Sequence, residues 1–159
     1  MTSTDWPHAL RRYLAASVVL HLVWEVVQLP LYTLWSAGTV RQQVFAVIHC
    51  TVGDAMIAGL SLLAAFAVVG RPGWPISGAR QVWLFTLLLG AAYTVYSEWL
   101  NVNVRGSWAY SKLMPTMPII GTGLGPLLQW IAVPTMVQWF TIARAPWIDC
   151  PTSAPVRQI

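Results

Sequence analysis

The stretch Ser17-Val18-Val19-Leu20-His21-Leu22-Val23-Trp24-Glu25-Val26-Val27-Gln28-Leu29-Pro30-Leu31-Tyr32 decides the fold. Ser17, His21, Glu25, Gln28 and Tyr32 recur at steps of 4, 4, 3 and 4. On a helix that is one continuous face. The residues between them are almost all apolar and cover the rest of the cylinder. A helix that is apolar outside a single polar stripe suits lipid around it and polar partners along the stripe, because lipid cannot satisfy a polar group.

The rest of the chain extends this reading. Only 9% of the 159 residues are charged and 57% are hydrophobic, whereas a water-soluble domain carries about 25% charged residues. Four apolar segments, at about residues 14–34, 44–69, 82–100 and 118–142, are each long enough for roughly 30 Å of hydrocarbon at about 1.5 Å per residue. The expected fold is all-α: an integral membrane four-helix bundle forming one domain over residues 1–144. Loop chemistry separates the spans. Ser36-Ala37-Gly38 opens the first connection, Gly70 to Pro75 fills the second, and the polar, aromatic run 101–117 makes the longest, between helices 3 and 4. The Pro-containing tail 145–159 reads as a disordered cytoplasmic extension.

Arg11, Arg12, Arg71, Arg80, Arg144 and Arg157 fall on the side of the termini, against Arg41, Arg105 and Lys112 on the other. The positive-inside rule therefore predicts an inner-membrane, multi-pass protein with both termini cytoplasmic and the long loop outside. The apolar run after Arg11-Arg12 continues without a small-x-small cleavage site, so it reads as a retained helix rather than a signal peptide. Basic residues occur singly or in that one pair, which excludes a nucleic-acid stripe. Cys50 lies in a span and Cys150 in the tail, so a mutual disulfide is not expected. Most of the ten tryptophans fall near span ends, as interfacial anchors do, but Trp24 and Trp130 lie deeper.

Three of the five acidic residues, Glu25, Asp54 and Glu98, and two of the three histidines, His21 and His49, fall within spans. An Asp at a span centre costs roughly 2.5–3.5 kcal/mol. Such residues are candidates for function by default. In the second span Cys50, Asp54 and Ser61 share a face; in the third Thr86, Gly90, Tyr93, Ser97 and Asn101 form a stripe flanked by Thr94 and Glu98; the fourth offers Thr122, Gln129, Thr135 and Gln138. Counting about 1.5 Å per residue from the outer ends puts Glu98 within about 5 Å of the interface and Glu25 and Asp54 about 14–16 Å deep. One polar cavity in the outer half of the bilayer is expected, with Arg105 available to pair with Glu98.

Two stretches resemble an uncharacterised group of short four-helix bacterial inner-membrane proteins. One is residues 21–32. The other runs through Ser97-Glu98-Trp99, Gly106-Ser107-Trp108-Ala109-Tyr110-Ser111, Met114-Pro115 and Gly123 to Trp130, together with His49-Cys50 and Gly53-Asp54. The resemblance covers about residues 21–135 and implies a location, not an activity. His21-x-x-x-Glu25 is more weakly similar to emopamil-binding-type sterol isomerases. An acidic helix end followed by Gly-x-Trp-x-Tyr is weakly similar to membrane carotenoid hydratases and lycopene cyclases.

Four functions fit these residues. The first is an enzyme acting on a lipid or isoprenoid by acid–base chemistry. Carboxyl groups removed from water can serve as general acids, and tryptophan faces such as those of Trp24 and Trp130 can stabilise a carbocation. Its catalytic candidates are Glu25, Asp54, Glu98, His21 and His49. Its substrate contacts would be Gln28, Trp24, Tyr93, Asn101, Arg105, Trp108, Tyr110, Gln129 and Trp130. The second is a divalent-metal or haem protein using His21, Glu25, His49 and Asp54. The third is a transporter or proton-relay component, and the fourth an accessory subunit of a homo-oligomer or of another membrane protein. No cofactor is required by the sequence. Walker A, GxSxG and GxGxxG motifs are absent, and Gly121-x-Gly123-x-Gly125 lacks the lysine of a phosphate loop.

Overall fold

A computed structural model describes residues 6–70, 74–75 and 77–143. These residues are helical almost throughout, in five α-helices: α1 (Trp6–Gln28), α2 (Leu34–Ala37), α3 (Val40–Val69), α4 (Ala79–Glu98) and α5 (Leu124–Ala143). The fold is all-α, as expected. Four helices have 20 residues or more, and α2 is a single turn. The long helices form a ring in the order α1, α3, α4, α5, with α5 closing back on α1.

Local chemistry sets the boundaries. Pro30 has no N–H to give and disfavours helix at Leu29, so α1 stops at Gln28 and tightens into a 3-10 turn over Leu29–Leu31. Thr39 and Gln42 form a reciprocal capping box that starts α3. Beyond Glu98 the backbone widens into a π-helical segment, Trp99–Val104. The first helix thus begins eight residues before the expected residue 14 and ends before 34. The last begins at Leu124, not at 118. Residues 118–123 are apolar enough to look like a span, but Thr116 and Gly123 pair as an antiparallel bridge, and Gly121 turns the chain with a φ of 68°. A left-handed φ is open to glycine and costly for most other residues. The tail at 145–159, Cys150, Arg71, Arg144 and Arg157 lie outside the described residues.

The surface is apolar and much of the interior is polar. Val19, Val23 and Val27 on α1, Phe45, Ile48, Val52, Met56 and Leu60 on α3, and Leu84 and Leu88 on α4 are exposed. The buried residues of α1 are Ala9, Tyr13, Ser17, His21, Glu25 and Gln28, which is the stripe read from the sequence, extended by two turns. In α4 the buried seam is Val82, Thr86, Gly90, Thr94 and Glu98. Thr86 and Gly90 of the expected stripe lie in this seam, the flanking Thr94 and Glu98 continue it, and Tyr93 is about half exposed. Two helical stretches, Trp6–Leu31 and Val40–Val69, are long and apolar enough to cross a membrane, and only 22% of each apolar window is buried in the protein. The core helix of a soluble domain would be mostly buried, so these two associate the protein with a membrane. Helices α4 and α5 are about 30 Å long each.

The two ends of the bundle differ. At one, Ala9, Tyr13, Leu62, Ala65, Trp74, Val82, Val133 and Val137 pack into a dry core. At the other, where α1 and α4 finish and α3 and α5 begin, the helices stand around a cavity. Successive long helices therefore run antiparallel.

Candidate functional site

The cavity has a volume of about 1070 Å³. Each long helix contributes to its wall. Glu25 and Gln28 come from α1, His49, Cys50 and Asp54 from α3, Tyr93, Thr94 and Glu98 from α4, and Pro126, Gln129 and Trp130 from α5. Arg41, Asn101, Arg105, Ser107 and Trp108 line it towards the connecting segments. The wall is mixed: carboxylates and amides alternate with Phe45, Ile57, Leu29 and the tryptophans.

Gln129 organises the floor. Its Nε2 donates to Asp54 Oδ2 at 2.7 Å and to Glu25 Oε1 at 3.1 Å, and lies 2.9 Å from His21 Nδ1. Gln28 Nε2 donates to Glu25 Oε1 at 2.8 Å and to Gln129 Oε1 at 3.3 Å, while Trp24 Nε1 donates to Gln28 Oε1 at 3.2 Å. His21 Nδ1 also stands 3.5 Å from Asp54 Oδ2. Three helices thus meet on one buried amide. An amide nitrogen has two hydrogens; here the two carboxyl groups and the His21 ring nitrogen, whose donor or acceptor role depends on its tautomer, stand around it. His21 is completely buried, and its Nε2 has no hydrogen-bond partner among the described residues. Its ring lies 5.3 Å from that of Trp130. Trp130 in turn fills a notch at Gly90, where an added Cβ would overlap the indole.

Glu98 is held from the loop side. The Tyr110 hydroxyl donates to Glu98 Oε2 at 2.5 Å and accepts from the Gly123 N–H at 2.9 Å. Burial, and then the Glu98 carboxylate it faces, holds the Tyr110 phenol above its ordinary range. The loop is tied to the end of α1 as well. Thr33 N–H donates to Ala109 O, Ser111 N–H to Leu31 O and Ser111 Oγ to Pro30 O, and the rings of Tyr32 and Tyr110 lie 5.7 Å apart. Residues 105–123 therefore form a cap fastened over one end of the bundle.

The expected residues divide into two groups. Glu25, Asp54, Glu98, His49, Gln28, Tyr93, Asn101, Arg105, Trp108, Gln129 and Trp130 all line the cavity. His21, Trp24 and Tyr110 do not; they stand behind Asp54 and Gln129, Gln28 and Glu98 respectively. His49 is set apart from the acidic cluster: it is exposed and stacks on Phe45. The expected Arg105–Glu98 pair is not formed, because Tyr110 takes that carboxylate; His21 Nδ1 lies 3.5 Å from Asp54 Oδ2. Among the described residues no three His, Cys, Asp or Glu side chains gather at ligand spacing. The carboxylates of Glu25 and Asp54 meet on an amide nitrogen, a donor that cannot ligate a metal. Arg41, Phe45, Ser97 and Thr94 are cavity residues that the sequence reading did not place there. For Arg41 the signal was present: it lies on α3 one and two turns before Phe45 and His49.

No family model, curated protein or solved structure matches the chain.

Proposed function

We propose that all four long helices cross the membrane and that the cavity transfers protons to and from the carbon skeleton of a lipid or isoprenoid. The observation that carries this reading is the pair of carboxyl groups, Glu25 and Asp54, brought to one amide at the floor of a largely apolar cavity. One carboxyl of the pair carries a proton and delivers it to a substrate double bond. The other carboxylate removes a neighbouring proton, so the double bond moves and no net proton is consumed. Gln129 holds both groups in place, and His21 supports Asp54 from behind. Glu98, fixed by Tyr110, polarises the wall nearer the loop.

The resemblance of residues 21–135 to bacterial inner-membrane proteins and the excess of arginine on the side of the termini support an inner-membrane location. They also support cytoplasmic termini and a cavity in the outer half of the bilayer. Purified protein incubated with a membrane lipid extract in deuterated water tests the chemistry. Deuterium should enter carbon-bound positions of an isoprenoid with the wild-type chain and not with Glu25→Gln or Asp54→Asn. No incorporation by the wild type, or equal incorporation by Glu25→Gln, would overturn the assignment.

A further inference from the structure

The cavity is charged unevenly along its length. Asp54 and Arg41 both line it and both belong to α3. They are thirteen residues apart in sequence, which is about 20 Å along a helix at about 1.5 Å per residue. The carboxyl cluster thus sits at one level and Arg41 at another, by the start of α3. Arg105, which follows the π-helical end of α4, lines the same cavity. Both guanidinium groups are exposed, and neither takes part in an ion pair among the described residues. Glu98, the acid nearest to Arg105 in the chain, is engaged by Tyr110 instead. Between the levels on α3, Phe45, Ala46 and Val47 supply apolar wall.

We infer that the cavity takes an elongated amphiphile whose phosphate head rests between Arg41 and Arg105 and whose apolar chain runs inward to the Glu25–Asp54 pair. The inference rests on the lipid reading above and adds the chemistry of the head. Guanidinium groups recognise phosphate oxygens with paired, charge-assisted hydrogen bonds. Two of them on one cavity, neither in an ion pair among the described residues, match a mobile anion better than a neutral alcohol. The separation of about 20 Å suits a long chain rather than a small phosphate ester.

The test uses the full chain in a neutral mild detergent and native mass spectrometry. Its probes are geranylgeranyl phosphate, geranylgeraniol and inorganic phosphate. The wild type should bind geranylgeranyl phosphate at least about tenfold more tightly than geranylgeraniol. Arg41→Gln with Arg105→Gln should abolish that preference while still binding the alcohol, which also shows that the variant is folded. Arg80→Gln, on α4 away from the cavity, should leave the preference unchanged. Equal binding of the two amphiphiles by the wild type overturns the inference and leaves the lipid cavity standing. So does a preference that survives in the double variant. Displacement of geranylgeranyl phosphate by equimolar inorganic phosphate also overturns it, by showing a site for free anions. If neither amphiphile binds, the lipid reading itself falls.

Discussion

Replacing Gly90 with alanine should destabilise the protein, although alanine is the better helix former. Gly90 is buried in the middle of α4, and a Cβ there would overlap the six-membered ring of Trp130. Trp130 is 1% exposed and packed against His21, so it cannot swing clear without disturbing the cluster around Gln129. Overpacking of this kind costs about 1–3 kcal/mol, and overlap with a rigid, enclosed ring belongs at the upper end. The gain in helix propensity offsets about 1 kcal/mol, which leaves a net loss of about 2 kcal/mol. Gly53, in the middle of α3, is the matched control: a Cβ there meets nothing within 4 Å. Gly53→Ala should therefore stabilise by up to about 1 kcal/mol. The two variants should differ by about 3 kcal/mol, on the order of 5–10 °C in melting temperature for a chain of this size. Thermal unfolding in mild detergent, followed by near-ultraviolet circular dichroism, measures the difference. If Gly90→Ala melts with Gly53→Ala, the close fit of α4 on Trp130 is wrong.

Gln129→Leu should cost about 1–3 kcal/mol by leaving Glu25 and Asp54 without their shared donor, seen as a lower melting temperature; Gln129→Glu should do no better, because it adds an acceptor where donors are short. Tyr110→Phe should loosen the cap, removing its bonds to Glu98 and to the Gly123 N–H, and limited proteolysis should then cut within residues 105–123 in the variant first. A phenol whose folded value is raised contributes stability that is complete below its unfolded value, about 10, and is lost only as pH rises through the higher folded one. The protease resistance of the wild-type cap should accordingly be the same at about pH 8 and pH 10; loss over that interval would contradict the enclosed position of Tyr110. A cysteine at Ser107 should react with a membrane-impermeant maleimide added to intact cells, whereas labelling only after lysis would reverse the proposed orientation.

The polar face of α1 was legible because its residues recur every three or four positions, and a helix surrounded by apolar contacts leaves such a stripe only one direction to face. The seam of α4 was legible at Thr86 and Gly90 and misread by one position beyond them. Tyr93, Ser97 and Thr94, Glu98 are adjacent rows on the same helix, and only packing against Trp130 chooses between them. The start of α5 was hidden by composition: Pro118, Ile119 and Ile120 are as apolar as a span, and the turn at Gly121 and the Thr116–Gly123 bridge depend on contacts outside that stretch. Glu25, Asp54 and Gln129 each stood out alone, but their meeting joins positions 75 and 104 residues apart. The Tyr110–Glu98 bond was not legible because it requires the loop to fold back, and Arg105 was the simpler partner on charge alone.

Native mass spectrometry of the protein extracted from membranes in mild detergent tests the lipid-cavity reading most directly. A stoichiometric mass excess should be present, should fragment to a lipid or isoprenoid, and should diminish when the cavity is filled by Gly53→Trp. A bare chain mass under conditions that preserve lipid complexes, or an excess equal to a metal ion or haem, would contradict it.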